Sequence, residues 1–372
     1  MKTVGLATFF YDDNFGTCLQ AYALQRVMEM FQYDVELIRY HRCTRANEGN
    51  RWKKIINMSP SMLWWRFINR KSILAKKARF TDFRKRYLHL ANDENYYRDS
   101  DFHKLKGKYD AYVCGSDMIW SSEFKDDWIF YYLSFEEKRK TISYAPSYGK
   151  NCLTDEETTI CKPLISNIGH LSCREIAGVN MIKEKFSLEA NHVIDPTLLM
   201  DCKDWDAVIS CQDKLINNEY SLVYLFNGTT KHGRDKVINQ LANINDKELV
   251  ILSGAEGKFK KYEYKNAAGP LEFVRLYRDC SFVVTDTFHG MLFAIIFNKP
   301  FIVLDKSPFG VTADRLTSTL ESLNLKERYV TNDIILNDSI LNMDYIKVNK
   351  TISSLREYSI NYLKESLNEV CL

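Results

Sequence analysis

Short apolar runs of strand length recur along this chain, each closed by turn-forming residues and followed by a stretch of helix length. TVGLATFF (3–10) leads through Asp12, Asp13, Asn14 and Gly16 into a helical pattern at 19–31, and VELIRY (35–40) follows. That βαβ order demands a parallel sheet, and a parallel sheet must be covered by helices on both faces. The pattern resumes with DAYVCGSD (110–117), TISYAPSYG (141–149), a polar helix near 154–166, HLSCRE (170–175) and NHVIDPTLL (191–199). A second series follows: SLVYLFNG (221–228), a helix over 232–244, ELVILSG (248–254), a helix opened by Gly269-Pro270, SFVVTD (281–286), GMLFAIIF (290–297) and PFIVLD (300–305). The polar stretch 201–220 divides the two series. The expectation is α/β architecture with two doubly wound domains facing a cleft: 1–200, carrying a basic helical insertion at about 45–95, then 215–345, then a C-terminal helix over 347–372.

With 372 residues, two cores are the natural division. The N-terminus reads as a first strand and not as a leader, and no apolar run approaches the ~20 residues that span a bilayer. The ten cysteines are scattered with no CxxC pair, which suits buried reduced thiols and a cytoplasmic protein. Charge is uneven. Between Arg51 and Arg86, twelve Lys/Arg face one acid, a net +11 against −8 for the rest. Interleaved with Trp52, Trp64, Trp65, Phe67, Phe80 and Phe83, this segment suits peripheral contact with the anionic inner face of a membrane; the plainer alternative is a solvated helical pair. No nucleic-acid motif is present, and no Walker A loop, GxGxxG, HExxH or carboxylate cluster points to a nucleotide cofactor or a metal.

In open parallel sheets, ligands gather beyond the carboxyl ends of the strands. Among the strand ends, TDTFHG (285–290) carries the sharpest chemistry. His289 stands where a general acid or base would, with Asp286 or a neighbouring carboxylate to fix its tautomer, and Gly290 opens a helix. A capping histidine is the plainer alternative. Arg174, ending HLSC beside Glu175, offers a fork for phosphate or carboxylate, unless Glu175 is its only partner. Arg315, next to Asp314, is a second anion candidate, and Asp117 in GSD a candidate carboxylate for an acceptor, or else an Asx-turn. Asp195-Pro196 reads mostly as a turn.

Seven segments stand together in a familiar order: NFGTCLQAYALQ, YDAYVCGSDMIW, ISYAPSYG, SCREIAGV, VIDPTLL, TDTFHGMLFAIIFNKPFIVL and DRLTSTLESLNL. In that order they resemble the polysaccharide pyruvyl transferase family, from about Thr3 to Arg328. The resemblance implies two Rossmann-like domains in a GT-B-like fold. It also implies transfer of pyruvate from phosphoenolpyruvate, a co-substrate and not a cofactor, onto two hydroxyls of a lipid- or nucleotide-linked sugar as a ketal. On that basis His289 and Arg174 are the expected catalytic pair, and Arg174, Arg315, Thr287, His289 and Gly290 the donor site. Asn14, Gly16, Ser116 and Asp117 are expected to meet the acceptor. Met118 stands where the family often has Gln, and Thr287 where Ser is common. The same architecture would serve a sugar-nucleotide glycosyltransferase, or a glycan-binding protein without turnover.

Overall fold

The computed structural model describes residues 1–40, 64, 66–91, 99–226, 233–244, 247–252, 263–307 and 314–372. The first part of the basic segment, including Arg51, Lys53 and Lys54, lies outside the described residues.

Two all-parallel sheets organise the chain. The first runs in the order β2-β1-β3-β4: β1 (Thr3–Ala7), β2 (Asp34–Leu37), β3 (Ala111–Cys114) and β4 (Thr141–Ser143). A small parallel pair, β5 (Ser172–Cys173) and β6 (Asn191–His192), continues it through a bridge from Ile142 to His170. The second sheet runs β12-β11-β10-β7-β8-β9, made of β7 (Tyr220–Tyr224), β8 (Glu248–Ile251), β9 (Glu263–Tyr264), β10 (Phe282–Thr285), β11 (Phe301–Leu304) and β12 (Tyr329–Val330). The central strands AYVC, FVVT and FIVL are buried along their whole length, as strands covered on both faces must be.

In each sheet the strand order reverses once. The first reverses between β1 and β3, the second between β7 and β10. A crevice opens at such a point because the connections depart to opposite sides. The site is therefore placed by topology before any side chain is considered.

Helix starts differ from the sequence reading. Helix α1 (Phe15–Met30) begins four residues earlier than expected, with Asn14 as its N-cap accepting from the Thr17 amide at 3.3 Å. The helix after β10, α8 (Phe288–Ile296), begins at Phe288 and not Gly290, capped by the Thr287 hydroxyl on the Gly290 amide at 3.0 Å. His289 thus stands in the first turn of a helix, which fixes its direction.

Between these two helices run α2 (Arg70–Tyr87), α3 (Asp155–Ile165), α4 (Ile176–Phe186), α5 (Cys202–Val208), α6 (Arg234–Ile244) and α7 (Pro270–Asp279). Helix α9 (Asp314–Ser322) and the long α10 (Ile346–Cys371) follow α8. The α10 helix returns to the first sheet: Tyr362 donates to the Ser143 carbonyl at 3.0 Å, and the Ser359 hydroxyl accepts from the Ile194 amide at 3.1 Å. Between the sheets lies a shared apolar core in which Phe15 stacks on Phe273 at 4.7 Å and Trp205 meets Phe293 edge-on at 5.0 Å. Five of the nine described cysteines are buried free thiols, and burial pushes Cys18 up to about 12, so these thiols pack and do not react. No helix among the described residues is long and apolar enough to cross a membrane.

Candidate active site

A cleft of about 430 Å³ opens where the two reversal points face each other. From the first sheet come the loop after β1 with Asp12, Asn14, Gly16 and Thr17, and the loop after β3 with Asp117 and Met118. From the second come Tyr224 and Phe226 after β7, Asp286 to His289 after β10, Lys306 after β11, and Arg315 of α9. A second cavity of about 490 Å³ adjoins it and shares Asp12, Asn14, Tyr224 and Phe226. The cleft is polarised. Asp12, Asp117 and Glu123 stand on the first-sheet wall; His289, Lys306 and Arg315 stand on the other, where Asp286 is already neutralised by the fully buried Arg234 at 2.7 Å.

His289 is pinned from two sides. Gly16 packs so closely on its ring that a methyl group there would lie 2.0 Å from Nδ1. Its Nε2 faces Asp195 Oδ2 at 3.6 Å, an ionic contact longer than a hydrogen bond, and the side chain is 12% exposed. Asp195 in turn accepts from Arg174 at 2.9 Å and from the Thr197 amide and hydroxyl at 3.0 and 2.8 Å. Burial alone would raise the Asp195 carboxyl, but the positive charges of His289 and Arg174 outweigh it and hold the group well below the usual carboxylate range. Asp195 therefore offers a fixed negative charge on which an imidazolium can form.

Several expected positions are placed differently. Asp286 does not orient His289, because Arg234 and the Phe226 amide, each at 2.7 Å, take its two oxygens; Asp195 fills that place. Arg174 is set beneath the cleft and not on its wall. Its side chain is 3% exposed, its fork held by Glu175 and Asp195 at 2.9 Å each, with only Nη2 unpartnered. The Arg174 and Arg315 guanidinium groups both lie over the Phe288 ring, at 4.4 and 5.7 Å. Ser116 cannot reach an acceptor: it is fully buried and its hydroxyl donates to the Ala145 carbonyl at 2.8 Å. Gly290 offers no free amide; it is glycine because any side chain would strike the Thr285 and Thr287 hydroxyls at 2.4 Å. Thr287 lines the cleft, but its hydroxyl caps α8. Asn14 and Gly16 do line the cleft, as does Asp117, which accepts from the Thr17 hydroxyl at 3.1 Å and from the Met118 amide at 2.9 Å.

Sequence reasoning missed Asp195 and Lys306. Asp195 is a turn residue, as read, and the carboxylate behind His289 as well. Lys306 follows the last apolar strand run directly, so strand-end logic carried one residue further reaches it.

The fold is shared with solved structures of low sequence identity. Arabidopsis thaliana UGT89C1 complexed with UDP-L-rhamnose superposes with a TM-score of 0.51 at 12% identity, over 100% of this chain and 99% of that one. The S. aureus MnaA–UDP co-structure gives 0.53 at 11% identity, over 99% and 97%. At such identities the likeness establishes the GT-B-type two-domain fold alone. Comparison with curated protein sequences gives no match. The profile of one family, polysaccharide pyruvyl transferase, matches residues 14–308, a span that runs from the Asn14 cap through β3, Asp195 and His289 to just past Lys306. The chain belongs to the polysaccharide pyruvyl transferase family.

Proposed function

We propose that this protein transfers pyruvate from phosphoenolpyruvate to two hydroxyls of a surface-polysaccharide sugar as a ketal, releasing phosphate. The observation that carries the reading is the polarised cleft with His289 on its cationic wall. An anionic donor belongs on the wall of His289 and Arg315. A neutral sugar belongs opposite, where Asp117 and Asn14 accept from and orient hydroxyls.

The residues suit the chemistry. A protonated His289 delivers its proton to the methylene carbon, which becomes the methyl group. The first hydroxyl adds to the adjacent carbon, and its proton, passed through Asp117, restores His289. The carbon–oxygen bond to phosphate then breaks with its electron pair going to oxygen. The second hydroxyl takes the vacated position, and its proton leaves on the phosphate. Arg174 acts from beneath, holding Asp195 in place and adding positive potential behind Phe288.

The acceptor is proposed to be lipid- or nucleotide-linked, and the protein to work in the cytoplasm. Trp64, Phe67, Ile68 and Leu74 are all more than half exposed beside Lys71 and Lys77, a surface suited to the inner face of a membrane carrying a lipid-linked sugar.

The test is incubation with phosphoenolpyruvate and a panel of lipid- and nucleotide-linked sugars, with the acceptor mass and released phosphate read together. A ketal-pyruvate mass gain matched by phosphate is expected, with losses of about 10²–10⁴-fold in His289→Ala. Acceptor-dependent phosphate release at the wild-type rate in His289→Ala or Arg174→Ala would overturn the assignment. Thermal stabilisation by UDP-sugars and none by phosphoenolpyruvate would favour a glycosyltransferase instead.

A further inference from the structure

The wall of the cleft holds a cation, Lys306, that pairs with no carboxylate among the described residues. Strand β11 ends at Leu304, and Asp305 turns away from the cleft. Its carboxylate accepts from the Ser307 amide at 2.8 Å, the Ser307 hydroxyl at 2.6 Å and the Tyr329 hydroxyl at 2.6 Å. That turn delivers Lys306 into the cleft, where it is only 9% exposed. Among the described residues Lys306 makes no ion pair within 4.0 Å. The carboxylate beside it, Asp286, is bound through one oxygen to Arg234 and through the other to the Phe226 amide.

A buried ammonium without a partner is costly, and proteins retain one where a ligand completes it. Arg315 lines the same cleft and is likewise without an ion pair among the described residues. Two neighbouring cations on one wall, one of them buried, match a dianion better than a monoanion. They differ in kind: the lysine is a compact point charge with three donors, the arginine a planar fork.

We infer that Lys306 binds the phosphate of the donor, and with Arg315 neutralises it as it leaves. The inference rests on the reading of the cleft as a phosphoenolpyruvate site for the identity of the ligand, though not for the presence of an anion site. As the carbon–oxygen bond breaks, charge accumulates on the bridging oxygen, and a cation already desolvated beside it costs no reorganisation at that moment.

A consequence can be measured. Burial foremost, then repulsion from Arg315 and Arg234, pulls Lys306 down to about 8, with Asp286 and Asp314 opposing. These are the charged groups facing it from α9, α6 and the end of β10, and Asp305 is engaged elsewhere. An anion binds the protonated form, so affinity is full below about 8 and falls as the lysine loses its proton above it.

The experiment is calorimetric titration of phosphoenolpyruvate, and separately of inorganic phosphate, into the full-length wild type, Lys306→Met and Lys306→Arg. Working at about pH 7 and about pH 9.5 keeps phosphoenolpyruvate above the second ionisation of its phosphate ester near 6, and the pH comparison is read on phosphoenolpyruvate alone. The wild type is expected to bind phosphoenolpyruvate more weakly at the higher pH. Lys306→Met should bind about tenfold or more weakly with a flattened pH dependence. Lys306→Arg should recover tight binding and keep it at the higher pH. Wild-type affinity and pH dependence in Lys306→Met overturns the inference, and so does a wild type that binds neither anion. If phosphoenolpyruvate binds wild type and Lys306→Met alike, the lysine inference fails while the donor reading stands. If inorganic phosphate binds through Lys306 and phosphoenolpyruvate does not bind, the donor reading fails and the anion site stands.

Discussion

The imidazole of His289 has no room to move. Gly16 closes one side of the ring and Asp195 the other, and the histidine belongs to the first turn of a capped helix. Gly16→Ala therefore leaves every charged group in place and displaces only the ring. A shift of about 1 Å at a reacting group can cost on the order of 10²-fold in rate. We expect kcat to fall by about that factor with phosphoenolpyruvate affinity nearly unchanged, because Arg315 stands on α9 and Lys306 in the turn after β11, on other elements than the displaced ring. Steady-state kinetics beside a donor titration separates the two; a rise in KM with unaltered kcat would show that the ring contact serves binding. His289 was legible in the sequence because a titratable residue at the carboxyl end of an apolar strand has few structural uses. Asp195 was not, since Asp-Pro has a sufficient explanation as a turn, and the turn does exist: Asp195 accepts from the Thr197 amide while its other oxygen faces Arg174 and His289. A residue with two roles shows only the commoner one in a single sequence.

Strands were more legible than helix starts, for a physical reason. A strand buried on both faces must be a continuous apolar run, and AYVC, FVVT and FIVL each are. Helices α1 and α8 both open with phenylalanine, Phe15 and Phe288, which extends the preceding apolar signal and hides the Asn14 and Thr287 caps. Helix α2 shows a different limit. Its charge reads as one solvated face, yet three of its cations turn inward: Lys76 sits 4.9 Å over Phe15, Arg79 pairs with Glu272 at 3.1 Å, and Arg84 pairs with Asp13 at 2.9 Å. What remains for a membrane is Arg70, Lys71, Lys77 and Lys85 with the exposed Trp64, Phe67, Ile68 and Leu74, while Arg86 pairs with Asp82 at 2.7 Å. Surface lysines contribute about 1 kcal/mol each near an anionic leaflet, and salt screens the effect. Sedimentation with vesicles of anionic phospholipid should show binding that weakens as salt is raised and drops about tenfold or more in Lys71→Gln/Lys77→Gln/Lys85→Gln. Equal binding to neutral vesicles, or none to anionic ones, would assign this face to solvent.

At the scale of the whole molecule, the two sheets share one core, besides the separate cluster that each carries on its other face. Phe15 of α1 stacks on Phe273 of α7 and meets Tyr224 of β7 edge-on at 5.7 Å, while Trp205 of α5 bridges Tyr22 of α1 and Phe293 of α8. One apolar cluster thus runs from Val4 and Val113 in the first sheet to Val283 and Val303 in the second. The C-terminal helix reinforces this continuity, because α10 follows the second sheet in sequence but buries Tyr362, Leu363 and Leu367 with the first. Neither half can unfold without exposing apolar surface of the other, so both should be lost together. Differential scanning calorimetry of the wild type is expected to give a single transition despite the two-domain architecture. Removing the Phe15 ring deletes the centre of the contact and leaves a cavity, a change that costs about 3–5 kcal/mol in a packed core. Phe15→Ala should therefore lower the transition temperature markedly and broaden or divide the transition, as the halves begin to melt independently. Two separated transitions in the wild type would mean that the shared core contributes little, and that the cleft between the sheets is free to open. A single transition means that His289 and Gly16, which belong to different sheets, are held in register by the same packing that stabilises the fold.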